Sequence, residues 1–151
     1  MKFRNSVKAI IIENNKILTI QAQDLDGYYY LLPGGGQRPG ETMIEALNRE
    51  CMEEINSRVL VGDIKLIREY IGLNHEFRDT DGDAHQIEYM FECQLEDMTD
   101  LKMGISPDQG QMDIAWLDLD NIEQYRLYPQ SLRSVLADLD NSPKIYWGDV
   151  N

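Results

Sequence analysis

The chain has 151 residues, 42% of them apolar, so it can bury a sizeable core and does not default to disorder. Its 27 Asp and Glu outnumber 14 Lys and Arg, and the net charge of −13 repels phosphate backbones. That argues against a nucleic-acid polymer as partner, but leaves room for one small phosphorylated ligand held by a local reversal of the field. Two cysteines, Cys51 and Cys93, are too few for a secreted disulfide framework and read as buried free thiols. The start, MKFRNSVKAIIIENN, lacks a long apolar h-region, and no stretch approaches the roughly 18 apolar residues of a membrane span. The expectation is a cytoplasmic, soluble protein with no membrane partner, organised as a single domain over 1–151.

In chain order, Val7 to Ile12 is an apolar, β-branched run, Glu13-Asn14-Asn15 supplies turn residues, and Lys16 to Ile20 resumes a strand, which predicts a hairpin. Asp26-Gly27 is a second turn, and Tyr28 to Leu32 a third strand ended by Pro33 and three glycines, Gly34, Gly35 and Gly36. Thr42 with Glu45 forms a capping box for a helix running to about Ile55, where Asn56 tolerates the left-handed conformation that often ends helices. Residues 58–73 read as strands with a break near Gly62-Asp63. Asp81-Gly82 turns the chain into a long strand from about His85 to Leu95, and Ile114 to Leu117 is a last strand. Leu132, Val135, Leu136 and Leu139 follow the i, i+3, i+4, i+7 pattern of an amphipathic helix. Tyr146 and Trp147 belong to no recognisable pattern. Strands, helix, strands, helix predict a mixed α/β domain, a sheet flanked by helices.

The segment GGQRPGETMIEALNRECMEEINS, Gly35 to Ser57, raises an electrostatic problem. At about 100° per residue, Glu53 and Glu54 fall roughly 60° and 40° to either side of Glu50, so all three project from one helix face. Ile44, Leu47, Cys51 and Ile55 define a neighbouring, packing direction. Two carboxylates ~5 Å apart near a surface repel by about 3 kcal/mol at an effective dielectric of 20. A solvated helix face is the bland explanation; the preceding Pro-Gly-Gly-Gly, which permits close backbone approach to a ligand, and Arg49 beside the acids favour a cation. An oxygen-only donor set suits Mg²⁺ or Mn²⁺, which accept substrate phosphates and would let an acidic protein hold a polyphosphate.

These residues resemble the Nudix box, G-x5-E-x7-R-E-U-x-E-E-x-G-U with U a bulky apolar residue. Gly35, Glu41, Arg49, Glu50, Glu53 and Glu54 fill its glycine and charged positions, and Cys51 stands as a modest U. Asn56 and Ser57 replace the final glycine and apolar residue. The box covers 23 of 151 residues, and Leu32-Pro33-Gly34-Gly35 before it and Trp116 before a late helix also suit the family's layout. The resemblance implies an α/β/α sandwich around a mixed β-sheet. It also implies hydrolysis of a nucleoside diphosphate linked to another moiety, by attack of metal-activated water on phosphorus. It implies that Glu50, Glu53 and Glu54 hold the Mg²⁺ (or Mn²⁺), with the Gly34 carbonyl as a further ligand. Glu41 would support the loop–helix arrangement or bind a metal through water, and Arg49 would orient Glu50 or Glu54. A carboxylate takes the proton: Glu50, Glu54, or a later loop acid such as Asp108 or Asp113.

The alternative reading is a catalytically inactive Nudix-fold nucleotide sensor or interaction domain; such members usually lose charged box positions, and none is lost here. Tyr28, Tyr29 and Tyr30 read as strand packing, with one of them, Tyr28 or Tyr30 first, as a surface on which a base stacks, and Arg38 as a solvated residue or a phosphate contact. Asp79 to Asp83 reads as a hairpin turn, because its glycine spacing does not fit a calcium loop. His75 and His85 lack partners at zinc-ligand spacing. The substrate class, the number of metal ions and a homodimer through a strand edge or the C-terminal helix stay open.

Overall fold

The computed structural model describes residues 1–97 and 111–151. Strand β1 (Lys2–Glu13) is central. Asn14 and Asn15, both at positive φ (51° and 61°), turn it into β2 (Lys16–Asp24), with Glu13 opposite Lys16. Two consecutive left-handed residues make the turn whose twist matches a right-handed strand pair, and asparagine reaches that region at low cost. After β3 (Gly27–Leu31) the glycines form a short strand of their own, β4 (Gly34–Gly36), antiparallel to β1. Helix α1 (Met43–Ile55) follows, then β5 (Val59–Ile71), the one-turn helix α2 (Arg78–Asp81), β6 (Ala84–Leu95), β7 (Gln111–Asp118), β8 (Leu127–Tyr128), α3 (Arg133–Ala137) and β9 (Tyr146–Asp149).

The strands run in the order β8-β3-β2-β1-β6-β5-β9, with β4 on β1 and β7 on β2. The sheet is mixed: β1–β6, β3–β8 and β5–β9 are parallel, the other pairs antiparallel. It curls because β1 spends most of its length on β6 and pairs with β2 only at its end, through Ile12 and Glu13. Alternation then divides the core. Val7, Ala9 and Ile11 face α1 and pack on Leu47, Cys51 and Ile55. Ile10 faces the other way, into a second cluster with Ile17, Leu66 and Met90 closed by Leu127, Leu132 and Leu136. Apolar burial on both faces of β1 is what a central strand between two helical layers requires. Each fully buried Leu or Ile contributes roughly 1.5–3 kcal/mol.

Several expectations need correction. The break at Gly62-Asp63 is a bulge inside one strand: the β5–β6 register shifts between Val61 and Ile64 and again before Leu66. The link from β5 to β6 is a 3-10 turn (Gly72–Asn74) and α2, rather than a tight turn at Asp79–Asp83. The late helix lasts only five residues and lies between two 3-10 turns, Gln130–Leu132 and Leu139–Asn141. Asp138 leaves helical geometry (φ −141°, ψ 56°), and its carboxylate accepts from the Asn141 amide, the local competition that shortens helices at Asp and Asn. Its apolar spacing still works, because Leu132 and Leu136 are fully buried. The unplaced tail is β9, which extends the sheet beside β5. Among the described residues no helix is long and apolar enough to cross a membrane.

Thr42 caps α1, its hydroxyl accepting from the Glu45 N–H at 3.1 Å, and Asn56 ends it in the left-handed region (φ 56°). Ile44 is 53% exposed, not part of the packing face; Ala46 takes that place. An Asn56→Ala substitution forces a Cβ-bearing residue without a local polar group into that conformation. It is expected to cost about 1 kcal/mol in urea unfolding at unchanged m, and Asn56→Gly less than Asn56→Ala.

Candidate active site

The site begins with the glycines. Gly34 has φ 140°, and a Cβ built there would lie 2.0 Å from the Val7 carbonyl oxygen. Only a residue without a side chain lets β4 approach β1 so closely. At Gly35 a Cβ would meet the Glu50 carboxyl carbon at 2.6 Å, so the missing side chain leaves the room that this carboxylate fills. The Gly34 N–H donates to Glu54 Oε1 at 2.9 Å, tying the glycine strand to a carboxylate only 4% exposed. Glu54 therefore sits on the packed side of α1, while Glu50 and Glu53 line the cleft.

Arg49 holds the acids together. Its Nε and Nη2 donate to the two Glu41 carboxylate oxygens at 3.0 and 2.6 Å, a bidentate pair. Nη1 reaches Glu50 at 2.9 Å and, more loosely, Glu53 at 3.5 Å, and Nη2 also donates to the Gly36 carbonyl at 3.0 Å. Glu41 accepts in addition from the Arg38 N–H at 2.7 Å. The Arg49 guanidinium, helped by that backbone N–H, pulls the Glu41 carboxyl down to about 2, and Glu41 and Glu50 push the Arg49 pKa further up. Among the described residues no three His, Cys, Asp or Glu side chains converge on a point suited to an ion. The carboxylates are spread by Arg49 instead. The donor chemistry nevertheless fits a hard divalent cation: Glu50, Glu53 and Glu54 offer oxygens only, beside a strand of glycines without side chains.

These groups stand at one end of a cavity of about 720 Å³ on the sheet face opposite α1. Arg4 and Lys8 of β1, Arg38 of the loop and Arg68 of β5 line it, so four of the chain's 14 Lys and Arg gather here against Asp24, Glu50, Glu53, Asp81 and Glu88. A divalent cation would tip that balance positive, the local reversal that an acidic protein needs in order to hold a phosphate. Tyr29, Phe77 and Tyr128 form an aromatic part of its wall.

Of the three strand tyrosines, Tyr28 and Tyr30, the two put first from sequence, do not line the cavity. Tyr28 is exposed, and Tyr30 packs edge-on against Tyr125 at 5.6 Å. Strand alternation turns Tyr29, between them, to the cleft. Arg38 does line it, from an exposed loop position. Asp113 is exposed, accepts from the following Ile114 N–H at 2.7 Å and does not line the cavity; Asp108 lies outside the described residues. His75 and His85 pair with Asp149 and Glu69 at 2.6 and 2.8 Å. Both thiols are buried, which raises the Cys51 pKa and pushes that of Cys93 up to about 12. Sequence reasoning missed Arg4, Lys8, Arg68 and Glu88. The signal was present: charged residues at period two inside strands, Arg4-x-Ser6-x-Lys8 and Gln86-x-Glu88, facing one side.

A mixed sheet between helical layers, with a glycine strand leading into a glutamate-rich helix at one end of a cleft lined by charges of both signs, is the architecture of a phosphoric-anhydride hydrolase. The NUDIX domain family model matches residues 2–139, and the chain belongs to the Nudix family. It is 28% identical over 127 residues to the nucleoside triphosphatase NudI of Enterobacter sp. (strain 638), covering 81% of this chain and 86% of that protein. Its fold is that of a NUDIX hydrolase from Nitrosomonas europaea, with a TM-score of 0.69 at 21% identity, covering 91% and 89% of the two chains. It is also that of an ADP-ribose pyrophosphatase from Streptococcus suis 89-1591, with a TM-score of 0.64 at 18% identity, covering 97% and 98%. The chain is thus a Nudix-type hydrolase acting on phosphoric anhydride bonds, a family that acts on small nucleotides and generally uses divalent metals.

Two glycine substitutions separate architecture from chemistry. Gly34→Ala drives a Cβ into backbone and is expected to cost about 2–3 kcal/mol of stability. Gly35→Ala displaces only the mobile end of Glu50: its melting temperature stays near wild type while kcat/KM falls roughly a hundredfold. The Glu41 pKa is depressed on folding, so its pair with Arg49 stabilises fully above the ordinary carboxylate value of 4.5, and that contribution is lost as pH falls toward about 2. Glu41→Gln therefore flattens the pH dependence of the melting temperature in that window.

Proposed function

We propose that the protein is a Mg²⁺- or Mn²⁺-dependent pyrophosphohydrolase that cleaves a nucleoside diphosphate linked to another moiety, by attack of water on phosphorus. The observation that carries the reading is the docking of the Glu54 carboxylate on the Gly34 N–H, with Glu50 and Glu53 lining the cleft beside it. Glu50, Glu53, Glu54 and the Gly34 carbonyl would hold the ion. When bound, a divalent ion acidifies water and neutralises charge on phosphate oxygens.

The chain's own groups supply the rest. Arg49, fixed on Glu41, keeps Glu50 and Glu53 in one place and offsets their repulsion. Glu50 faces the cavity and is our candidate to accept the proton of the attacking water. Lys8 and Arg38, which line the same end as the glycines, meet the phosphate oxygens as negative charge builds on them. The aromatic wall, Tyr29 rather than Tyr28 or Tyr30, bounds the nucleoside end.

The 151 residues would act as one cytoplasmic domain, alone or as a homodimer, with no nucleic-acid polymer or membrane partner. The likeness to a nucleoside triphosphatase makes nucleoside triphosphates the first substrates to try, with release of a monophosphate. A screen of these, nucleotide sugars, ADP-ribose and dinucleotide polyphosphates with Mg²⁺ and Mn²⁺ would name the substrate. Glu53→Gln and Glu54→Gln are each expected to lower metal-dependent kcat by at least about a hundredfold while the chain stays folded. Intact turnover in either variant would remove that residue from the metal site.

A further inference from the structure

Beyond the phosphate end, one charged group in the cleft has no task in the hydrolysis. Glu88, on β6, is 3% exposed and lines the cavity. Three donors converge on one of its oxygens: Oε2 accepts from Arg68 Nε at 3.2 Å, Arg68 Nη2 at 2.7 Å and Gln86 Nε2 at 3.3 Å. Oε1 has no hydrogen-bond partner among the described residues. It is not sealed away either, because the only fully enclosed side-chain polar atoms without partners among them are Arg133 Nε and Trp147 Nε1. An almost wholly buried carboxylate thus turns one unpartnered oxygen toward the cavity.

Its position fits the nucleoside end of a ligand. Gly36 lies opposite Ser6, Ser6 opposite Glu88, and Glu88 opposite Arg68 in one row across β4, β1, β6 and β5. At strand spacing this sets Glu88 roughly 10 Å from the glycine strand, about the length of a nucleoside beyond its phosphate. The aromatic wall contains Phe77 and Tyr128, edge-to-face at 5.4 Å, with Tyr29 at 6.2 Å from Tyr128. These are rings on which a base can stack.

Resting on the nucleotide-hydrolase reading above, we infer that Glu88 accepts a hydrogen bond from the exocyclic amino group of the substrate's base. The cleft then favours cytosine, adenine or guanine over bases that present a keto oxygen, or nothing, at that place. Burial alone would push the Glu88 carboxyl up, but Arg68, Lys8 and Arg4 hold it below the ordinary carboxylate range. It is therefore ionised near neutrality and can only accept. An amino group satisfies Oε1, whereas the O4 of uracil would set two acceptors face to face in a buried place.

The test is the affinity of the wild-type chain, with Mg²⁺ present, for three pairs of monophosphates that differ at the amino group: GMP against IMP, AMP against IMP, and CMP against UMP. Titration calorimetry is expected to show the amino-bearing member binding about tenfold or more tighter in at least one pair. In Glu88→Gln, whose amide also donates, that ratio falls toward one; should the variant fail to fold beside an unpaired Arg68, the wild-type ratios decide alone. Ratios near one in all pairs, tighter binding of the members that lack the amino group, or no saturable binding of any of the five overturn the proposal. So does a preference for CMP over dCMP without one for CMP over UMP, which would assign Oε1 to a ribose hydroxyl. Metal-dependent turnover is measured separately, so a failure of the hydrolase reading and a failure of base selection are distinguishable.

Discussion

The arrangement depends on how closely β4 lies against β1. Backbone meets backbone at Gly34, where the Val7 carbonyl occupies the space that any side chain would need. That approach aims the Gly34 N–H at Glu54 and lets the Glu50 carboxylate fill the place where a Gly35 side chain would be. The helix is seated by its apolar side, Leu47, Cys51 and Ile55 on Val7, Ala9 and Ile11. The glycine strand converts that seating into a fixed height for the carboxylates above the cleft. Packing on one face of β1 thus sets the chemistry at the edge of the other.

The charge puzzle of the acidic segment has a partial answer within the chain. Arg49 is bidentate on Glu41 and reaches both Glu50 and Glu53, so one guanidinium is shared among three carboxylates. Such a pairing keeps the acids ordered without any ion. It also explains why arginine suits the position better than lysine: only a planar fork can grip one carboxylate with two bonds and still reach others. What Arg49 leaves over is a cluster still rich in acceptors, in a cleft that Arg4, Lys8, Arg38 and Arg68 also line. An acidic protein that binds phosphates must arrange its few cations, and Arg4, Lys8 and Arg68 are directed inward by strand alternation.

The parts of this design that were legible in the sequence are those governed by local rules. The Asn-Asn hairpin, the Thr42–Glu45 capping box, the left-handed Asn56 and the glutamate spacing follow from residues within a turn of one another. The parts that were not legible depend on tertiary neighbours. Glu54 was grouped with its exposed neighbours, because the angle around a helix does not reveal that β4 will cover that side. Periodicity places Ile44 in the core, yet it is half exposed. Tyr29 and Tyr28 are chemically identical, and only the register of β3 on β2 and β8 decides which one faces the cleft. The four-residue spacing between Leu132 and Leu136 reads as a helix in the sequence, but Asp138 and Asn141 bond to each other and end it after five residues.

The sheet that carries the cleft also grades its chemistry. Across the row Gly36, Ser6, Glu88 and Arg68, the surface passes from bare backbone to a buried hydroxyl, then to a carboxylate and a guanidinium locked together. Burying such a pair costs desolvation that packing alone would avoid, and apolar residues of similar size are often as stable in its place. Stability therefore gives no strong reason to keep Arg68 and Glu88 under Tyr70 and the C-terminal residues, where Arg68 Nη1 also binds the Val150 carbonyl and the Asn151 side chain at 2.6 and 3.0 Å. A reason that fits the geometry is positional: Arg68 anchors one oxygen of Glu88 so firmly that the other is held at a fixed point in the cavity. Rigid placement of a single acceptor, at a fixed distance from the phosphate end, is what discrimination between otherwise similar bases demands of a protein.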